Sequence, residues 1–148
     1  MPLSKRDFEA EIKSAKILYF PCEELNTPIP HYFVCVCIHP PGTVNLSCCT
    51  SQFETVKRLI ERGKYPNETL VYIPEHDTEN PFNKKTYINC NEYFPYLIDE
   101  LWDLYQNQSL EIFPELPLDS FEQIIIGFQK SPIIEEELKE NLPDVNDF

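Results

Sequence analysis

Two apolar runs dominate the hydrophobic pattern, HYFVCVCIH at 31–39 and VNLSCCT at 44–50, joined through Pro41-Gly42. Val, Ile, Phe, Tyr and Cys suit a pleated, buried surface, and Pro followed by Gly suits the centre of a type II turn, so the stretch predicts a β-hairpin. With His39 facing Val44 across the turn, Cys35 faces Cys48, Phe33 faces Thr50 and His31 faces Gln52. Side chains alternate between the faces of a strand. His31, Phe33, Cys35, Cys37, Cys48 and Thr50 then share one face, and Tyr32, Val34, Val36, Ile38, Ser47 and Cys49 share the other. Both faces are largely apolar, which predicts strands covered on two sides. At the open end of the ribbon His31 and Thr50 become diagonal neighbours, roughly 7 Å apart at the backbone. Ser47 and Ser51 fall on the face opposite His31, which argues against a Ser-His pair in this ribbon.

Around the hairpin the pattern alternates between short helices and short strands. Ser4-Lys5-Arg6-Asp7 reads as a capping box, with Phe8, Ile12 and Ala15 at helical spacing, predicting a helix over 5–15. KILYF at 16–20 reads as a strand, and the proline-rich PCEELNTPIP delivers the chain to His31 as a loop. Ser51-Gln52-Phe53-Glu54 is a second capping box, followed by Val56, Leu59 and Ile60 and closed by Gly63. TLVYI (69–73) and TYINC (86–90) read as strands on either side of a polar loop holding His76 and Lys84-Lys85. Pro95 suits the first turn of a helix whose stripe is Leu97, Leu101, Leu104 and Tyr105, with Trp102 nearby and Asp99, Glu100 and Asp103 outside. Residues 109–119 form a connecting segment or short strand. Ser120 starts a helix with Ile124, Ile125 and Phe128, and Ser131-Pro132 starts another that runs to about Leu142. The expected organisation is a single α+β domain over 1–148: an N-terminal helix at 1–15, a sheet region at 16–94, a helical part at 95–142 and a frayed tail at 143–148.

Charge divides the chain in two. The whole carries 25 acids and 12 bases, for a net charge of -13. Residues 1–66 amount to +1 and residues 67–148 to -14. A polyanion therefore finds a tolerant surface only on the first half, and the acidic half suits solvent or a basic partner. Lys57, Arg58, Arg62 and Lys64 make the exposed face of the second helix the most basic surface. No apolar run reaches the ~18 residues of a membrane span and the first residues are too charged for a secretory signal, so a cytoplasmic location is the expectation. In that compartment the six cysteines are expected to stay reduced. Cys35, Cys37 and Cys48 share the predicted face, but without a C-x-x-C pair they read as small buried hydrophobes rather than zinc ligands. His76, among Glu75, Asp77 and Glu79, reads as a solvated loop residue.

The order of parts resembles the PemK/MazF family of plasmid-maintenance and chromosomal toxins. The likeness rests on a strand, a polar loop, a hairpin ending in Thr50-Ser51-Gln52, a strand ending in proline, the strand TYINC and C-terminal helices, over roughly 16–142. It implies a small SH3-like β-barrel, a homodimer, an antitoxin partner and a metal-independent endoribonuclease acting on single-stranded RNA without a cofactor. In that family an Arg at the head of the second strand and a Thr or Ser at the end of the third flank the scissile phosphate. Thr50-Ser51 match the second element, and His31 stands where the Arg would be. The resemblance thus assigns catalysis to His31 and Thr50. Charge adds Lys57, Arg58, Lys84 and Lys85 as RNA contacts. An imidazole can move the 2′-hydroxyl proton near neutrality and a Thr hydroxyl can donate to a phosphate oxygen, although the bidentate guanidinium grip is lost. The competing reading is a catalytically inactive barrel that binds a protein partner through its acidic helical half, which the net charge favours.

Overall fold

The computed structural model describes residues 2–25, 27–74, 82 and 84–144. The fold is α+β, as expected. Its strands are β1 (Ile17–Phe20), β2 (His31–His39), β3 (Thr43–Thr50), β4 (Leu70–Ile73), β5 (Thr86–Asn89), β6 (Phe94–Leu97) and β7 (Glu111–Phe113). Its helices are α1 (Lys5–Glu11), α2 (Phe53–Gly63), α3 (Ile98–Gln106), α4 (Leu118–Lys130) and α5 (Glu136–Glu140). All the strand pairs are antiparallel, in the order β4-β5-β3-β2-β1-β7. One edge of β3 carries β2. The other is divided, Thr43–Leu46 pairing with β6 and Cys49–Thr50 with β5. Among the described residues β4 and β7 end the order without pairing to each other, so the sheet is open where a closed barrel was expected. His76 and the residues after 144 lie outside the described residues.

The central strands are covered on both faces. On one, Phe8 and Ile12 from the α1 region and Leu101 of α3 pack against Leu18, Phe20, Phe33, Cys35, Val44 and Leu46. The Phe8 ring sits 5.3 Å from Trp102 and 5.0 Å from Tyr105, which ties α1 to α3. On the other, Phe121, Ile124, Ile125 and Phe128 of α4 cover Val34, Val36, Val71, Ile73 and Ile88. This two-sided cover is why β2 and β3 lack the polar alternation of a half-solvated sheet.

The hairpin forms, but in a different register. Near the turn His39 faces Thr43 and Ile38 faces Val44, one residue away from the expected pairing. A bulge between Cys35 and Cys37 then shifts the ladder by one more, so that Phe33 faces Cys48. Two one-residue shifts restore the original parity, which is why Phe33, Cys35 and Cys48 still share a face. Cys37 does not. The extra residue turns it to the opposite face beside Val36, so it is separated from the other two thiols it was expected to join. The type II turn is also absent, because Gly42 does not have the positive φ it requires.

All five helices differ from the expected ones at one boundary or both. α1 stops at Glu11, with Ser4 capping as predicted through Asp7 N–H at 3.2 Å. α2 has Gln52 rather than Ser51 at its N-cap position, with no side-chain capping bond, and the left-handed residue that ends it is Lys64 (φ 57°), not Gly63. Gly63 serves close approach, since a Cβ there would lie 2.2 Å from the Tyr65 ring. Pro95 stands in β6 opposite Asn45, where the vacant edge of β3 recruits Phe94–Leu97; the outer edge of a sheet tolerates a residue without N–H. Helix α3 follows directly, its first turn joined to Leu97 N–H by the Glu100 carboxylate at 2.9 Å. α4 begins at Leu118 rather than Ser120, and α5 spans Glu136–Glu140 rather than the whole of 132–142.

Gly127 sets how closely α4 meets the sheet. A Cβ on it would lie 2.6 Å from Cys90 Sγ and 2.9 Å from the Glu68 carbonyl oxygen. Gly127→Ala should therefore cost about 1–3 kcal/mol through overpacking, against a helix-propensity gain of about 1 kcal/mol. Urea unfolding checks this, and an unchanged or higher midpoint would overturn it. Combining it with Cys90→Ala should recover part of the loss, because one of the two obstacles is then gone.

Candidate functional site

The start of β2 and the end of β3 meet at one rim of the sheet, around a cleft of ≈ 450 Å³. His31 enters it because Pro30 precedes the strand and Phe20 of β1 pairs with it. Its Nδ1 lies 2.9 Å from the Ile29 carbonyl oxygen. A carbonyl only accepts, so the neutral ring carries its proton on Nδ1 and leaves the Nε2 lone pair unused by that bond. Thr50 ends β3 opposite Tyr87, and its Oγ1 accepts the Gln52 N–H at 3.1 Å. That bond orients the hydroxyl and leaves its proton to donate.

Lys84 and Thr86 form a third side, with Thr86 Oγ1 donating to the Lys84 carbonyl at 3.1 Å. Aromatic rings wall the cleft behind them. Tyr19 and Tyr32 are cross-strand partners with centroids 4.5 Å apart, and the Tyr32 ring meets Phe82 edge-on at 5.3 Å. Burial raises the Tyr32 phenol, helped by Tyr19 and Glu111, so it stays protonated and able to donate. Among the described residues lining the cleft are a lysine, a histidine, hydroxyls and the Gln52 carboxamide, and no acid. In a chain with 25 acids and 12 bases that lining is a strong local departure.

Three of the six residues expected from sequence thus line one cleft: His31, Thr50 and Lys84. The other three lie outside it. Lys85 is exposed beside Lys84. Lys57 and Arg58 are exposed on α2, where Lys57 Nζ approaches Glu61 at 4.0 Å and stands 5.8 Å from the Phe53 ring centroid. Ser51, expected on the face opposite His31, lines the same cleft because the chain leaves the strand after Thr50 and no longer alternates. Sequence reasoning missed the aromatic wall and Thr86. Tyr19 and Tyr32 become neighbours only through the β1–β2 register, which no local pattern reports.

The other histidine of the hairpin belongs to a separate place. His39 Nε2 lies 3.3 Å from Glu137 Oε1, and Asn141 Nδ2 donates to its Nδ1 at 2.8 Å, fastening α5 to the turn. Among the described residues no group of His, Cys, Asp and Glu could hold a metal ion, and no helix is long and apolar enough to cross a membrane.

In comparisons with known proteins, no protein-family model matches the chain and no curated protein matches it.

Proposed function

We propose that this protein binds single-stranded RNA in the cleft at the rim of β2 and β3 and cuts it there without a metal ion. The observation that carries the reading is the meeting of His31, Thr50 and Lys84 in a cleft without an acidic lining residue among those described. His31 takes the 2′-hydroxyl proton through Nε2, and the 2′ oxygen attacks the adjacent phosphorus. The bond from phosphorus to the 5′ oxygen breaks, and that oxygen leaves as a hydroxyl with a proton taken from water, while the protonated His31 returns its proton to the resulting hydroxide. A cyclic phosphate remains on the other fragment. Thr50 donates to a phosphate oxygen and Lys84 offsets the charge that accumulates there. This reading carries with it the PemK/MazF-type ancestry, the homodimer and the silencing antitoxin that the sequence resemblance implies.

The direct test is incubation of the purified protein with a mixed pool of unstructured RNA in EDTA. Fragments ending in cyclic phosphate and 5′-hydroxyl are expected. A folded protein that leaves the pool intact would remove the enzyme reading.

The binding-module alternative draws support from Ile126 and Ile133, exposed on the acidic helical part. α5 stays clear of the RNA cleft: it is fastened through His39 to the turn end of the hairpin, the length of β2 or roughly 26 Å from His31, which is well beyond screening range at physiological salt. Glu136→Gln with Glu140→Gln should therefore leave RNA affinity unchanged at about 0.15 M salt, and a gain in affinity would give these acids a shielding role.

A further inference from the structure

The cleft continues into an aromatic strip on the face of the sheet that α2 covers. Thr50 is the cross-strand partner of Tyr87, and Tyr87 is that of Tyr72, so all three side chains project from the same face of β3, β5 and β4. The Tyr87 ring lies 4.9 Å from Phe53 and 5.6 Å from Tyr72. Lys57 stands over Phe53 at 5.8 Å. Tyr72, at the far end, is 40% exposed, and Phe53 and Tyr87 are half-buried, so the strip is open to solvent at the Tyr72 end.

From this geometry we infer that Phe53, Tyr87 and Tyr72 form a stacking platform for the bases of single-stranded RNA leaving the cleft past Thr50, with Lys57 and Arg58 on the phosphates. The inference rests on the RNA reading of the cleft and names what holds the rest of the strand. From β3 to β4 is two strand spacings, roughly 10 Å, which fits one or two nucleotides. Rings with an open face accept any base, since every base has a π-face. Local charge agrees: Lys57, Arg58, Arg62 and Lys64 of the α2 region are exposed, in a molecule that is otherwise strongly acidic. The platform also gives Lys57 and Arg58 a role that the cleft does not.

The test uses the full chain carrying His31→Ala, so that bound RNA is not cut, with a fluorescent RNA decamer and a dinucleoside monophosphate as probes. Tyr72→Leu should weaken decamer binding about 5- to 150-fold, the loss of one stacked base, and leave the dinucleotide unchanged. Tyr72→Phe should retain wild-type affinity, which separates a stacking ring from a fold defect. Equal decamer affinity for the Leu and Tyr forms would overturn the platform, and so would a decamer that does not bind. The cleft reading fails separately. If wild-type protein cuts nothing while Tyr72→Leu still weakens the decamer, the platform stands and the catalytic assignment does not.

Discussion

Replacing His31 by alanine should lower RNA cleavage by about 10²- to 10⁴-fold, the usual loss when a positioned general acid or base is removed. The fold should survive, because among the described residues the ring bonds only the neighbouring Ile29 carbonyl and the side chain is half-buried at a strand head. Single-turnover cleavage measures the loss, and a thermal melt confirms the fold. Thr50→Ala should act in the same direction but less completely, since one phosphate hydrogen bond is lost and the proton transfer remains. Lys84→Ala should weaken binding more than Lys85→Ala, because only the first lines the cleft. His31→Arg is the discriminating substitution. It supplies the guanidinium expected at this position from the resemblance, so phosphate binding should hold. If His31 moves a proton, cleavage at neutral pH falls all the same, because a guanidinium stays protonated. Full activity in both His31→Ala and His31→Arg would dismiss the catalytic role.

What could be read in advance and what could not follow the range of the interactions concerned. β1 and the β2–β3 hairpin were legible because runs such as ILYF and FVCVC carry their own local preference. The register was not, because it depends on the bulge between Cys35 and Cys37, and nothing in the string VCVC marks it. Local signals also misled where two of them competed. Pro95 fits a helix start as well as an edge strand, and the vacancy on β3 that decides between them is a long-range fact. The same holds for the site. Residue type and the family pattern point to His31, Thr50 and Lys84, each through its own neighbourhood. That Ser51 turns inward and that Tyr19 meets Tyr32 depend on strand ends and pairings far apart in sequence. Exposed charge points to Lys57 and Arg58, and exposed charge fixes a surface, not a cleft.

Raising the pH above about 8.5 should destabilise this protein steeply, before its phenols titrate. Five of its six thiols are held protonated in the native state. Burial raises Cys35, Cys37, Cys49 and Cys90, with Cys37 adding at Cys35 and Cys48 at Cys49, and it pushes Cys48 up to about 12, helped by Glu92 and Cys22. In the unfolded chain these thiols ionise near pH 8.5. Below that pH both states hold the protons and stability is fully present. Above it the unfolded state loses protons that the folded state keeps, so stability falls as pH rises. One unit above the unfolded value each thiol held well above it withdraws about 1.4 kcal/mol, or about 6 kcal/mol for Cys35, Cys48, Cys49 and Cys90 together, against a typical total of 5–15 kcal/mol. Urea midpoints taken with reductant between about pH 7 and 9.5 should fall steeply in the upper part of that range, below the phenols' ordinary pKa near 10. Cys35→Val should make the fall shallower by one thiol's share. Alkylation at about pH 8 gives an independent readout: the native thiols should react slowly and then together on unfolding, since the thiolate is the nucleophile. Midpoints that stay level up to pH 9.5 would mean that the sheet lets its thiols ionise in place, and the two-sided cover of β2 and β3 would then be looser than their burial indicates.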